Sequence, residues 1–560
     1  MSRPDVLVAV VMPREQCDVS YPYGGTQLRP SVTGRRGMVS SAHALASLAG
    51  LRTLMEGGNA IDAAVAVASC IGATEIGLSG IGGVGWMQIY HAKTDTHICL
   101  DYQGWSPYAV DRSLFQGPEQ MLHGLLSNMV PGSPAGWCAA LERFGTMDRA
   151  SVFKHVIEIC EEGHPLTVHA TNMINSAVPT LSQYPSSVDF FFTDGGKPPR
   201  AGHLHKQPDL AKTFRALVEG GPDAYYKGEI ADTIATFCQE NGGLISKQDL
   251  ADMTVEWVEP LGIRYRDFTV TGPPPPSSAM QWLQTLKLLE GYDLVGMGHN
   301  STEYLHTLLE VERLAIADRI HYNAAPNAPI ATLLSAEYCA ARRQLVDPQR
   351  ASRVIGARYN RSMDPGLRKH GNVGLQESTT HFNVVDAEGN AVSCTQSLGG
   401  FGCGVVVPGT GILLNDFLYW FDLDADSPNV IGPHKKNEMC LSPGMIWRDN
   451  KLFACIGTPG SYGIMETTPQ FMVNMMDFQM SVQAAIEAPR VRPGELNRAM
   501  VEGRIPATVR DGLSQRGHLV DVLPDWSMAF GGAQGLMVDP ENGTFTGGAD
   551  PRRDGYALGW

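Results

Sequence analysis

Thr379 opens the run Thr379-Thr380-His381-Phe382-Asn383-Val384-Val385-Asp386, and a glycine-containing stretch ending in Phe401-Gly402 follows Asn390. A hydroxyl in the middle of a chain has no strong base of its own. If the Ser378-Thr379 peptide were cut, the freed α-amine would sit on the same residue and titrate near pH ~8. That amine can take the proton of its own side chain, which is the threonine-plus-amine arrangement of nucleophilic catalysis. Neither HExxH nor a paired-cysteine motif occurs, so neither a metal nor another cofactor is expected.

The elements that must position Thr379 differ on its two sides. Upstream, Ser40-Ser41 is expected to cap a helix carrying Leu45, Leu48, Leu51 and Met55 and ended by Gly57-Gly58. An alanine-rich helix then runs from Asn59 to about Cys70. Gly80-Ile81-Gly82-Gly83-Val84-Gly85 formally matches GxGxxG, but that fingerprint needs a strand before it and a helix after it. Here a helix precedes the glycines and a hairpin around Lys93-Thr94-Asp95 follows, so a tight turn is expected, not a nucleotide site. From about Ser151 to Tyr322 the pattern is largely helical. Pro273-Pro274-Pro275-Pro276-Ser277-Ser278 interrupts it as a stiff connector ahead of a new helix layer. The stretch from about 323 to 378 lacks a sustained period and is rich in Arg and Lys, as a processing segment would be.

Downstream of Thr379 the pattern turns to short strands: Thr380 to Asp386, Ala391 to Ser397, Gly411 to Leu414, Met445 to Arg448 and Leu452 to Gly457. Strand-rich sequence after helix-rich sequence points to an α+β fold of stacked mixed sheets covered by helices on both faces. An αββα sandwich fits this pattern, although periodicity alone does not choose it over other mixed folds.

Composition sets outer bounds. The 560 residues are 43% hydrophobic, enough for a sizeable core, and Lys plus Arg at 43 against Asp plus Glu at 58 leaves a net charge of −15. That balance argues against nucleic acid or an anionic membrane as partner and suits a soluble chain. The 11 cysteines are scattered without a CxxC pair, which suits a reducing compartment. The N-terminal apolar run stops at Pro13-Arg14-Glu15, so a cytoplasmic location is expected.

The motifs together resemble one family, the γ-glutamyltransferases of the N-terminal nucleophile hydrolases. The resemblance spans Gly57-Gly58-Asn59-Ala60-Ile61-Asp62-Ala63-Ala64, Ser79-Gly80-Ile81-Gly82-Gly83, Gly221-Pro222-Asp223-Ala224-Tyr225-Tyr226-Lys227-Gly228, Asn241-Gly242-Gly243-Leu244-Ile245 and Asp550-Pro551-Arg552. Thr379-Thr380-His381, Gly389-Asn390, Thr395 and Phe401-Gly402 match its small-subunit start. The resemblance implies self-cleavage between Ser378 and Thr379 into a large chain, 1–378, and a small chain, 379–560, which stay associated in one αββα domain. It also implies that Thr379 forms an acyl-enzyme, resolved by water or an amine. Ser397 would orient the nucleophile, and the backbone N–H groups of Gly460 and Ser461, in the turn Pro459-Gly460-Ser461, would hold the oxyanion.

The substrate clamp departs from the family pattern. The family arginine for the glutamyl α-carboxylate falls on Gln103, and a neutral amide does not replace a bidentate guanidinium. The paired serines fall on Met439 and Cys440, and the residues gripping the α-amino group fall on Gly399, Phe417 and Trp420. The expectation is an N-terminal-threonine amidohydrolase or acyltransferase with an apolar, aromatic acyl pocket, acting on an amide other than an ordinary γ-glutamyl compound. Alternatives left open are a genuine γ-glutamyl hydrolase or transpeptidase, a C–C bond-cleaving homologue using the same threonine, and an unprocessed binding protein. Asn415 and Asp416 either line the pocket or form a plain loop, and His381 receives no proton-transfer role.

Overall fold

A computed structural model describes residues 27–193, 195–352 and 379–560. Ser378 and the run 353–378 lie outside the described residues. Two seven-stranded sheets form the centre. One is ordered Val32–Gly34, Thr544–Ala549, Gln534–Asp539, Lys451–Gly457, Gly444–Arg448, Phe268–Gly272, Leu261–Tyr265. The other is ordered Tyr556–Gly559, Gly37–Ser41, Thr380–Asp386, Ala391–Ser397, Val84–His91, Thr96–Tyr102, Glu256–Val258. Helices Ala44–Met55 and Ala60–Thr74 cover the second sheet, while Ala279–Leu289, Gly463–Met476 and Val482–Glu487 cover the first. The architecture is therefore the expected αββα sandwich.

Strand alternation sorts the side chains of Thr380–Asp386 onto two faces. Phe382 and Val384, with Val392 and Cys394 of the paired strand, pack under the two N-terminal helices. The other face looks into the space between the sheets, and that space has two characters. At one end Val385, Ala391, Met445, Cys455 and Leu536 form an apolar cluster. Toward Thr379 the layer becomes polar, with His381, Asn383 and Thr395 buried and hydrogen-bonded to one another or to the opposite sheet.

Residues from before and after position 379 alternate within both sheets. Gly37–Ser41 is flanked by Thr380–Asp386 and Tyr556–Gly559, and Phe268–Gly272 pairs with Gly444–Arg448. A cut before Thr379 would leave two chains joined by continuous ladders of backbone hydrogen bonds.

Several local expectations need correction. Ser40 and Ser41 lie in a strand, and His43 caps the first helix by accepting from Leu45 N. The buried face of that helix is Ala46, Ser47, Ala49, Gly50, Thr53 and Leu54, whereas Leu48 and Met55 are exposed. Small residues are needed here because the next helix crosses closely: a Cβ on Gly50 would stand 2.5 Å from Val67. That second helix runs on to Thr74, opened by a reciprocal capping box between Asn59 and Asp62. Strands Glu256–Val258, Leu261–Tyr265 and Phe268–Gly272 occupy a stretch expected to be helical, each lying at or beside a sheet edge. Helices Ile330–Leu333 and Ala336–Arg343 likewise organise part of the basic segment.

The glycine run behaves as a turn between helix and hairpin. Gly83 N donates to Gly80 O at 3.0 Å, and a Cβ on Gly83 would stand 2.4 Å from Ser397 O. The bare backbone thus lets this turn close against the end of the strand that carries Ser397.

Candidate active site

Strand register brings the first two site residues together. Thr380 is opposite Gln396 and His381 opposite Thr395, so Thr379 stands at the ladder's end beside Ser397. Thr379 is 3% exposed, and its Oγ1 donates to Ser397 Oγ at 3.1 Å. Gly399 N donates to the same Ser397 oxygen at 2.9 Å. Two donors therefore converge on the serine hydroxyl and fix its position.

His381 is held as a neutral ring. Asn383 Nδ2 donates to Gln534 O at 2.9 Å, so Asn383 Oδ1 accepts from His381 Nε2 at 3.1 Å. Nδ1 is then left to accept from Thr395 Oγ1 at 2.8 Å. Burial lowers the ring's pKa to about 3, against a weaker opposing effect from Asn383. A buried ring with both nitrogens committed this way fits a packing and hydrogen-bonding role in the layer.

The carbonyl of Thr379 has a partner that the motif did not reveal. Arg553 Nη1 donates to Thr379 O at 2.8 Å and lies 3.4 Å from Glu75 Oε1. Burial raises the Glu75 pKa to about 7, with Arg553 pulling the other way. Arg553 adjoins a buried ion network, its backbone N donating to Asp550 O at 3.3 Å. Asp550 binds Arg490 at 2.6 Å and Arg552 at 3.0 Å, and Glu502 binds Arg552 at 2.7 Å. These arginines hold Asp550 down at about pH 2 in spite of burial. Only the Asp550-Pro551-Arg552 resemblance hinted at this network.

The turn Pro459-Gly460-Ser461 joins strand Lys451–Gly457 to helix Gly463–Met476. Cys455 packs in the cluster that contains Val385, and a Cβ on Gly457 would touch His381, so the chain is travelling toward the Thr379 end as it enters this turn. Gly460 and Ser461 both take positive φ, 131° and 55°. Thr458 steadies the turn by donating to Pro459 O at 2.9 Å and accepting from Gly532 N at 3.1 Å. Backbone N–H groups just ahead of a long helix face the positive end of its dipole, a setting suited to a developing oxyanion.

The residues expected at the substrate clamp are all buried. Gln103 Nε2 donates to Asn437 O at 2.7 Å and Asn437 Oδ1 at 2.6 Å, and Asn437 Nδ2 donates to Phe417 O at 2.7 Å. Phe417, Trp420, Met439 and Cys440 share one apolar cluster with Tyr462. The Phe417 and Trp420 rings lie 6.2 Å apart, and Trp420 meets Tyr462 edge-on at 5.1 Å. Tyr462 follows Ser461 directly, which ties this aromatic group to the turn. The structure thus gathers Gln103, Phe417, Trp420, Met439 and Cys440 into one neighbourhood.

Gly399 stands apart from that group, on the Ser397 loop. Its φ is +96°, and a Cβ there would come within 1.5 Å of Asp416 Oδ1. Both Asp416 oxygens accept from Gly400 N at 3.0 Å, and burial raises this carboxyl well above its usual range. Asp416 therefore shapes the loop after Ser397. Asn415 is spent on backbone, its Nδ2 donating to Gly82 O and Met129 O at 2.9 Å each.

Sequence reasoning also missed a buried ion pair beside the aromatic group. Arg319, from helix Thr302–Tyr322, pairs with Glu438 and places its guanidinium 4.2 Å from the Tyr462 ring centroid. The partners are 119 positions apart, so no local motif could announce them.

A threonine heading a central strand of an αββα sandwich is the arrangement of an N-terminal nucleophile hydrolase. The chain belongs to the γ-glutamyltranspeptidase family, whose model, described as Gamma-glutamyltranspeptidase, matches residues 46–560. It is 35% identical over 542 residues to the Acylase ACY 1 proenzyme of Pseudomonas sp. (strain SE83), covering 93% of each chain. It is 32% identical over 549 residues to the Glutathione hydrolase proenzyme of Bacillus subtilis (strain 168), covering 94% of this chain and 92% of the other. The cephalosporin acylase structure from Bacillus halodurans superposes with a TM-score of 0.86 at 30% identity, covering 98% of this chain and 99% of that one. The protein is accordingly an enzyme of the hydrolase and acylase type. No helix among the described residues is long and apolar enough to cross a membrane.

Proposed function

We propose that the chain cuts itself before Thr379 and that the freed threonine then works as an acylase on amides whose acyl part is not a free γ-glutamyl group. In this reading the Thr379 α-amine accepts the hydroxyl proton, Oγ1 attacks the amide carbonyl, and the tetrahedral oxyanion is held by the Gly460 and Ser461 N–H groups. The amine leaves with a proton, and water or a second amine then resolves the ester. Ser397 orients the attacking oxygen throughout.

The observation that carries the substrate reading is charge. A γ-glutamyl head group brings a carboxylate and an ammonium, and the residue aligned with the family arginine is Gln103. Two cations near it among the described residues are committed to carboxylates: Lys436 Nζ lies 2.6 Å from Asp101 and 2.7 Å from Glu256, and Arg319 is paired with Glu438. Hydrogen bonds to charged groups contribute about 1.5–3 kcal/mol each, so losing two or three weakens head-group binding by orders of magnitude. Phe417, Trp420 and Tyr462 form a buried aromatic group in the same region. The similarity to a Pseudomonas acylase, at least as high as that to a Bacillus glutathione hydrolase, fits this reading.

The test is to compare kcat/KM of the purified enzyme for a γ-glutamyl anilide and for a glutaryl or oxamate amide. A preference of about a hundredfold or more against the γ-glutamyl compound is expected from the lost contacts. Equal or faster γ-glutamyl turnover would restore the ordinary family substrate.

A further inference from the structure

Away from Thr379, three buried side chains bring nitrogen and oxygen donors to one point. They are His306 and Glu310, one turn apart on helix Thr302–Tyr322, and His518, ahead of strand Leu519–Leu523. One donor atom from each lies within 4.8 Å of the others. His306 Nε2 donates to Asp347 O at 2.8 Å, which directs its Nδ1 lone pair at His518 Nε2, 2.9 Å away. If His518 donates across that gap, its own Nδ1 becomes a buried acceptor, and that atom has no hydrogen-bond partner among the described residues. If the proton sits on Nδ1 instead, two lone pairs face each other across the 2.9 Å gap. A cation between the rings removes the conflict in the second arrangement.

We infer that His306 Nδ1, His518 Nε2 and Glu310 Oε1 form a binding site for one divalent transition-metal ion of the zinc type. Two imidazoles, a carboxylate and a water make the N/O donor set such ions take. The His306–Asp347 hydrogen bond is the backbone contact that commonly orients a ligating imidazole. Zn–N bonds of about 2.0–2.1 Å in a tetrahedron put two nitrogens about 3.3 Å apart, so the rings need to part by about 0.4 Å. Glu310 has an oxygen to give, since Ser352 N binds its Oε2 at 3.0 Å. The ion's competitor for Oε1 is Arg313 Nε at 3.5 Å, but that guanidinium is anchored elsewhere by the Leu496 and Arg498 carbonyls. Because Arg313 and Arg516 both place positive charge near His518, binding is weaker than in an all-anionic site.

The location gives the site a role. His306 and Glu310 precede residue 379 and His518 follows it, while Asp347 O and Ser352 N belong to the segment leading toward residues 353–378. A bound ion would pin that segment and staple the two chains after cleavage. The stapling rests on the cleavage reading above, whereas ion binding does not.

The experiment is calorimetric titration of the purified full-length protein, first stripped with a chelator, with Zn2+, and visible absorption with Co2+. About one equivalent of tight Zn2+ binding and a tetrahedral Co2+ spectrum are expected. Both should be lost in Glu310→Gln and His518→Gln, with kcat unchanged. Zn2+ should also raise the urea midpoint for separation of the two chains in wild type but not in the variants. The wild type alone is decisive if the variants fold poorly: no stoichiometric Zn2+ uptake and only the solution-ion Co2+ spectrum overturns the site. Binding undiminished in well-folded variants overturns it equally, and a wild type that binds one ion while remaining a single chain retains the site and removes the stapling role.

Discussion

The neighbourhoods of Thr379 and of Trp420 belong to one molecule but are built in different ways. Around Thr379, position follows from strand register: Thr380 opposite Gln396 and His381 opposite Thr395 leave Thr379 beside Ser397, and polar partners fill the adjoining layer. Around Trp420, position follows from packing: Gln103, Arg319, Phe417, Glu438, Met439 and Tyr462 come from separate parts of the chain and meet through burial. A register-built site tolerates divergence elsewhere in the sequence. A packing-built region can be refilled while the strands stay in place, so under the proposed function one nucleophile can serve different acyl groups.

The sharpest way to strain the contrast is Gln103→Arg. Reinstating the family charge without its partners removes the Asn437 bonds and buries a guanidinium, at a cost of about 3–5 kcal/mol in stability for an uncompensated charge. Urea denaturation should show that loss, and γ-glutamyl activity should not appear. Gly399→Ala comes next, because its Cβ would strike Asp416 at positive φ. Displacing the Ser397 loop by about 1 Å should lower kcat by about a hundredfold in steady-state kinetics on the processed enzyme.

Ser397→Ala should cost less. Loss of one neutral hydrogen bond to the nucleophile, about 0.5–1.5 kcal/mol, predicts a fall in kcat of about two- to tenfold, and leaving Gly399 N without its acceptor should lower the melting temperature modestly. Smallest is the pH effect of Glu75. Its folded pKa of about 7 lies above the ordinary 4.5 because of burial, so the folded state holds this proton more tightly than the unfolded chain. The stabilisation is complete below about pH 4.5 and is lost as pH rises to about 7. The difference in melting temperature between wild type and Glu75→Gln should therefore drift over that window and be flat above it. A difference independent of pH would mean that the carboxyl is not proton-linked to folding.

Much of the Thr379 region was legible in the sequence because its signals are local. Strands at Thr380–Asp386 and Ala391–Ser397 follow from the short-strand pattern and an intervening Gly389-Asn390 turn, and the alanine-rich run from Asn59 marks the helix they support. The leucines of helix Ala44–Met55 misled, since close helix crossing selects Gly50 and the alanines for the inner face. The sandwich itself needed the family resemblance, because short strands at sheet edges, such as Leu261–Tyr265, look like their helical surroundings. Arg553 on the Thr379 carbonyl, the Arg319–Glu438 pair and the His306–Glu310–His518 group were illegible for one reason: each joins residues that only the folded chain makes neighbours.

Intact mass of the purified protein beside Thr379→Ala tests the central claim most directly. The account predicts two wild-type fragments, 1–378 and 379–560, that purify together, and one uncut, inactive Thr379→Ala chain. A wild type that stays whole yet turns over substrate, or a Thr379→Ala variant that is cut and active, would contradict it.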